Sequence, residues 1–206
     1  MKVVKVLEAG FEKAVEEAVR TLVDGGIVVY PTETCYGLAA TIDNVEAVKR
    51  IYVVKRRPFN RPLTILVASI NMWREYAYLS YEAMKLIKRF LPGPLTIVLW
   101  KKAIVPDIVN PMRIGARISS HKLAQAIVER LGKPITATSA NIHGDKEPYN
   151  VNDVVRDVDL ILDFDELPKN PPSTIVDLTV EPPVIQRVYP NGPFTEEEIL
   201  KTIAEG

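Results

Sequence analysis

The sequence predicts a single α/β domain built on a largely mixed sheet. Segments with helical apolar spacing and short apolar runs of strand length intermix along all 206 residues. Glycine and proline clusters punctuate the junctions between them. The strict βαβ rhythm of a dinucleotide fold is missing, as are Gly-x-Gly-x-x-Gly and the Walker lysine motif. Any nucleotide must therefore be held without a conventional glycine-rich phosphate loop.

Phe11, Ala14, Val15, Ala18, Val19, Leu22 and Val23 recur at helical spacing, and Gly25-Gly26 stops that helix before the apolar run Ile27 to Tyr30, which reads as a buried strand. Val45, Val48, Ile51 and Tyr52 mark a second helix, whose end delivers Lys55 to Arg57 before Pro58 breaks it. Leu63 to Val67 reads as a strand, Glu82 to Phe90 as a helix, and Pro92-Gly93-Pro94 as a turn into the strand Thr96 to Leu99. Arg113 to Ile118 is strand-like. Leu123, Ala124, Ile127, Val128 and Leu131 form another amphipathic helix, ended by Gly132. Pro134 leads into Ile135 to Ser139, so Ser139 and Asn141 are expected just past the end of a strand. Leu160 to Leu162, Thr174 to Asp177 and Val184 to Arg187 are further strands, and a last helix starts at Thr195, where Glu198 completes a capping box.

Hydrophobic residues make up 47% of the chain and charged residues 25%, without repeats or low-complexity tracts, which suits one folded soluble domain over residues 1–206. The lone cysteine, Cys35, excludes an internal disulfide, and with His121 and His143 it forms no zinc pattern. A reducing cytoplasm is the expected location. No apolar run nears the roughly 18 residues a membrane span requires, and the segment Met1 to Glu8 is too short and soon too charged for a secretory signal. Net charge is zero but unevenly spread. No acid lies between Glu46 and Glu75, a stretch holding Lys49, Arg50, Lys55, Arg56, Arg57, Arg61 and Arg74, whereas ten acids fall between Asp145 and Glu181. One local positive surface is expected, or else a solvated helix end carrying basic residues.

Two clusters carry the chemistry. Lys55-x-Arg57 offers cations for phosphate charge, and Ser139-x-Asn141 offers a hydroxyl and an amide for direction. Read alone, each has an ordinary structural explanation: surface cations at a helix end, and turn chemistry after a strand. Three segments frame them: Pro31-Thr32-Glu33-Thr34-Cys35-Tyr36-Gly37-Leu38, Leu91-Pro92-Gly93-Pro94-Leu95-Thr96 and Ser173-Thr174-Ile175-Val176-Asp177.

Together and in this order, the five resemble the YrdC-like family of threonylcarbamoyl-AMP synthases, from about Gly25 to Arg187. The resemblance implies a twisted open mixed sheet with flanking helices and a positively charged concave face. It implies synthesis of threonylcarbamoyl-AMP from L-threonine, bicarbonate or CO2, and ATP, with release of pyrophosphate; other proteins then transfer the threonylcarbamoyl group to tRNA. Carried over by position, Lys55, Arg57, Ser139 and Asn141 are the catalytic residues. Lys55, Arg57, Arg61, Asn141 and Arg187 are expected on ATP. Thr32, Thr34, Arg117, Ser139 and Ser173 are expected on threonine, with Arg117 facing the substrate carboxylate. Mg2+ is expected as the escort of the triphosphate, held mainly by phosphate oxygens and water.

No general base stands out. His121 and Cys35 read as capping or packing residues. Arg113 and Arg61 depart from the residues usual in relatives, Leu66 replaces a histidine of longer members, and Val188 to Gly192 lengthens the path after Arg187. The end at Gly206 resembles the short, single-domain type. A competing reading is a module that binds double-stranded RNA or tRNA on a basic face, against which zero net charge and the lack of an aromatic-basic stripe count.

Overall fold

The computed structural model describes residues 1–189 and 192–205. Pro190 and Asn191, which belong to the lengthened path after Arg187, lie outside the described residues, as does Gly206. The chain runs β1 (Lys2–Lys5), α1 (Val6–Ala9), α2 (Phe11–Val23), β2 (Val28–Pro31), β3 (Tyr36–Ala39), α3 (Val45–Val54), β4 (Thr64–Leu66), α4 (Ile70–Tyr76) and α5 (Tyr81–Phe90). It continues through β5 (Leu95–Trp100), β6 (Arg113–Arg117), α6 (Lys122–Leu131), β7 (Ile135–Thr136), β8 (Thr138–Ser139), β9 (Leu160–Asp163), β10 (Thr174–Asp177), β11 (Val184–Arg187) and α7 (Glu196–Ala204).

The mixed α/β class read from the sequence is the one the chain adopts, with its strands divided between two sheets. One has the order β1-β9-β2-β3-β8 and the other β11-β10-β5-β6-β4-β7. Each combines parallel and antiparallel pairs: β9 runs parallel to both β1 and β2, while β3 is antiparallel to β2 and β8. In the second sheet β10 and β5 are parallel, as are β4 and β6, and the remaining pairs are antiparallel.

The division has a local cause in the Ile135 to Ser139 run. Ile135 and Thr136 pair with β4, whereas Thr138 and Ser139 pair with β3. Ala137 is the crossing point, held by its N–H donating to Thr64 O (2.8 Å) and its carbonyl accepting from Thr64 Oγ1 (2.7 Å). Ser139 thus lies inside a short strand, a correction to its expected place just past one, and Asn141 follows two residues later.

Side-chain alternation divides the core as well. Val28 and Tyr30 of β2 pack with Leu160 and Leu162 of β9 against Val15, Ala18 and Leu22 of α2 and Ile127 and Val128 of α6. Ile27, Val29 and Ile161 face the larger core shared with α3, α5 and the second sheet. Gly37 is required where β3 crosses β2, because a Cβ there would lie 2.9 Å from the Tyr30 ring. At the chain end, Thr195 and Glu198 form the expected capping box on α7.

Four elements were not legible beforehand. β1 is short and half lysine, and exists through parallel pairing with β9. α1 is a single turn, and β3 begins within the Pro-Thr-Glu-Thr motif segment. α4 is started by Ser69, whose Oγ accepts from Met72 N at 3.1 Å.

Tyr36 fastens β3 to the segment after β9. Its hydroxyl donates to Asp165 O at 2.7 Å and accepts from Phe164 N at 2.9 Å. Tyr36→Phe removes both bonds while keeping the ring, and should lower stability by about 1–3 kcal/mol. Urea unfolding would register this as a lower midpoint at unchanged slope.

Candidate active site

The exit of α3 sets the first group of functional side chains. Arg57 N donates to Tyr52 O (2.8 Å) and Arg56 N to Val53 O (3.0 Å), the paired bonds of a Schellman ending. That ending places Arg56 at φ 48°, in the left-handed region that glycine normally fills. The reversal sends Lys55 inward and Arg57 toward a cavity.

Lys55 is only 1% exposed. Its Nζ donates to Ser139 O, to Asn141 O at 2.7 Å and to Asn141 Oδ1 at 3.1 Å. Burial, with a contribution from the Arg57 charge, pulls the ammonium down to about 8, while three acceptor oxygens favour the charged form. Asn141 is fully engaged: Oδ1 also accepts from Ser139 Oγ (2.6 Å), and Nδ2 donates to Asp145 O (2.8 Å) and Lys146 O (3.0 Å).

In front of this buried layer lies a cavity of about 210 Å³. Seven residues expected from the sequence line it together: Thr32, Thr34, Arg57, Arg117, Ser139, Ser173 and Arg187. Three expected residues do not line it. Lys55 and Asn141 stand behind its wall, and Arg61 is exposed, with its carbonyl accepting from Arg57 Nε at 2.9 Å. Pro62 O and His143 Nδ1 complete the hold on the Arg57 guanidinium, at 2.8 and 3.2 Å.

The hydroxyls differ in what they have left to offer. Thr32 Oγ1 donates to Cys35 O (2.6 Å) and accepts from the N–H groups of Thr34 and Cys35 (3.2 Å each), so it builds its own turn. Thr34 Oγ1 touches it at 2.9 Å and retains acceptor capacity toward the cavity. Ser173 Oγ meets Thr96 Oγ1 at 3.0 Å, and its carbonyl accepts from Arg187 Nε at 2.8 Å, fixing that guanidinium against the cavity edge.

Arg117 is paired within the protein. Its Nη1 donates to Glu33 Oε1 at 2.9 Å, and the other Glu33 oxygen accepts from Ser119 Oγ. Both partners of this ion pair are largely buried, with side-chain exposures of 9% and 13%. Glu33 was missed in the sequence, although it stands inside the Pro-Thr-Glu-Thr motif. Thr96 and Glu147, also on the cavity wall, were missed too; nothing local in the sequence marks Glu147.

Several departures from the family pattern now have positions. Arg113 donates to Asp177 Oδ2 at 2.8 Å and to Thr179 Oγ1 at 3.3 Å, so its charge is neutralised outside the cavity lining. His121 begins α6 without a side-chain cap and packs edge-on against Phe164 at 5.2 Å. Burial pushes the Cys35 thiol up to about 11, against the lowering influence of Arg117, which leaves it a poor nucleophile. Among the described residues, no three His, Cys, Asp or Glu side chains converge as a metal site.

A family model described as "Telomere recombination" and covering Sua5, YciO and YrdC matches residues 20–188. The chain belongs to the Sua5/YciO/YrdC family. A family member from Pyrococcus abyssi, named threonylcarbamoyl-AMP synthase, is 40% identical over 88% of this chain and 55% of its own length. The crystal structure of P. abyssi Sua5 complexed with L-threonine superposes with a TM-score of 0.87 at 36% identity, covering 99% of this chain and 60% of that one. The chain therefore spans little more than half the length of this P. abyssi relative. E. coli YciO is similar along most of both chains, at TM-score 0.77, 29% identity and coverages of 85% and 89%.

The buried lysine leads to a pH-linked expectation. Its folded pKa of about 8 lies below the ordinary 10.5. Below pH 8 both folded and unfolded chains carry the proton, and between about 8 and 10.5 the unfolded chain alone keeps it. Stability from this group should therefore rise with pH through that window. Lys55→Met should abolish the rise and leave the Ser139 and Asn141 carbonyls unpaired, at a cost of about 1–3 kcal/mol each. Urea midpoints of both proteins from pH 7 to 10 measure both effects.

Proposed function

We propose that this protein is an L-threonylcarbamoyladenylate synthase, a nucleotidyltransferase that joins L-threonine, bicarbonate or CO2, and ATP into threonylcarbamoyl-AMP and pyrophosphate. The observation that carries the reading is the convergence of Arg57, Arg117 and Arg187 with the Thr34, Ser139 and Ser173 hydroxyls around one small cavity. Membership of a family whose P. abyssi member binds L-threonine supports it.

The chemistry explains the residue types. An oxygen of the N-carboxylate of threonine carbamate, not of its α-carboxylate, attacks the α-phosphorus, and the bond from the α-phosphorus to the bridging oxygen breaks, its electrons leaving with pyrophosphate. One anion must approach another, so neutralisation and alignment are the main demands on the protein. Arg57 and Arg187 are suited to the phosphates because their guanidinium groups are already fixed by carbonyls of the 61–62 and 173 segments. Arg117 retains nitrogens beyond the one given to Glu33, and these can meet the substrate carboxylate. Thr34, Ser139 or Ser173 can recognise the substrate hydroxyl, which distinguishes threonine from isosteric valine.

Lys55 and Asn141 serve as the backing of the phosphate side, holding the Ser139 to Lys146 turn. Mg2+ enters with ATP as part of the substrate, held mainly by phosphate oxygens and water. The product supplies tRNA threonylcarbamoyladenosine formation through separate transfer machinery in the cytoplasm. Among the described residues, no helix is long and apolar enough to cross a membrane.

Pyrophosphate release should require ATP, L-threonine and bicarbonate together. Arg57→Ala should lower it about 10²–10³-fold, and Asn141→Ala should also lower it, by releasing both Lys55 and the turn. A folded protein without threonine-dependent release, yet binding tRNA tightly and with steep salt dependence, would replace this reading with that of an RNA-binding module.

A further inference from the structure

We infer that Glu147 is the binding residue for the α-ammonium group of the amino-acid substrate. The inference rests on the synthase reading above and adds a recognition element to it. Four charged residues line the cavity: Arg57, Arg117, Arg187 and Glu147. The acid is therefore alone among three cations. Glu33, the other carboxylate nearby, is occupied by Arg117 and Ser119. Among the described residues, no hydrogen bond or ion pair engages the Glu147 carboxylate.

The segment bearing Glu147 is fastened on both sides. On one, Asn141 Nδ2 donates to the carbonyls of Asp145 and Lys146 at 2.8 and 3.0 Å, and Asn141 is itself held by Lys55. On the other, Pro148 O accepts from Tyr36 N at 2.9 Å, which sets Glu147 beside Cys35 and the Thr34 turn. An unpartnered carboxylate on a fastened backbone, sharing the lining of a cavity of about 210 Å³ with three arginines, is the complement of a zwitterion. A cavity lined by cations alone would favour dicarboxylates and phosphates over an amino acid. Glu147 supplies the missing sign of charge.

The same placement bears on the order of events. While the nitrogen is an ammonium, the carboxylate attracts it. Once the ammonium has released one proton to solvent and the free amine has added to CO2 with release of a second proton to solvent, the nitrogen is neutral and the attraction disappears, while the new carbamate anion is repelled toward the cationic side.

Calorimetric titration of L-threonine into the whole protein, without ATP or Mg2+, tests the assignment. Wild type should bind threonine, Glu147→Gln at least tenfold more weakly, and Glu147→Asp in between. The hydroxy-acid analogue with a hydroxyl in place of the amine should bind wild type and Glu147→Gln equally. Wild-type affinity should also fall as pH rises through the ammonium pKa, a dependence absent in Glu147→Gln. Equal threonine affinity in wild type and Glu147→Gln would overturn the inference, as would a parallel titration of ATP with Mg2+ that responded to Glu147→Gln when the threonine titration did not, which would make Glu147 a metal contact. No threonine binding by folded wild type would instead overturn the synthase reading, and this inference with it.

Discussion

The candidate site depends on one buried ammonium. Lys55 ends α3, yet its three contacts reach across to the 139–141 turn, joining a helix terminus to the end of the five-stranded sheet. Desolvating a cation is expensive unless acceptors replace the lost water. Here two backbone carbonyls and an amide oxygen do so, and each acceptor belongs to the turn that forms the cavity wall. Removing the ammonium would take that donor from both carbonyls and leave Asn141 Oδ1 with the Ser139 hydroxyl alone.

From Lys55 the constraint passes outward in hydrogen-bonded steps. Asn141 receives the ammonium and the Ser139 hydroxyl on one side of its amide, then holds the Asp145 and Lys146 carbonyls with the other. Arg57, two residues beyond Lys55, is directed by the same helix ending and held by the 61–62 carbonyls. The Lys-x-Arg and Ser-x-Asn pairs therefore act as one unit with an inner and an outer layer. Lys55 and Asn141 form the inner layer, while Arg57 and Ser139 present themselves to the cavity.

A second buried pair, Arg117 with Glu33, fixes another cation on the cavity lining. A guanidinium whose one nitrogen is fixed at 2.9 Å on a carboxylate presents its other donors in a defined direction. Charge that sequence reading would add to the nucleotide site is elsewhere consumed locally: Arg113 is neutralised by Asp177, and Arg50 pairs with Asp159 at 3.0 Å. Formal basicity along the Glu46 to Glu75 stretch thus overstates the charge directed at the cavity.

Periodicity and punctuation were sufficient for α2, α3, α5 and α6, and for the strand positions of β2, β5, β6, β10 and β11, because apolar spacing and Gly or Pro breaks act over a few residues. The Thr32, Thr34, Arg57, Ser139 and Ser173 side chains of the candidate site were legible through the five motifs, whereas Arg117 and Arg187 came only from position in the family resemblance. Pairing partners are nonlocal, so the sequence did not reveal that Ile135 to Ser139 serves two sheets or that β1 forms against β9, about 158 residues away. Nor did it distinguish a lysine that touches a ligand from one buried behind the wall. That difference depends on which carbonyls the fold carries to its Nζ. Glu147 marks the same boundary: as a letter it is one acid in an acidic stretch, and only the anchoring of its neighbours to Asn141 and Tyr36 brings it to a cavity whose other charged residues are arginines.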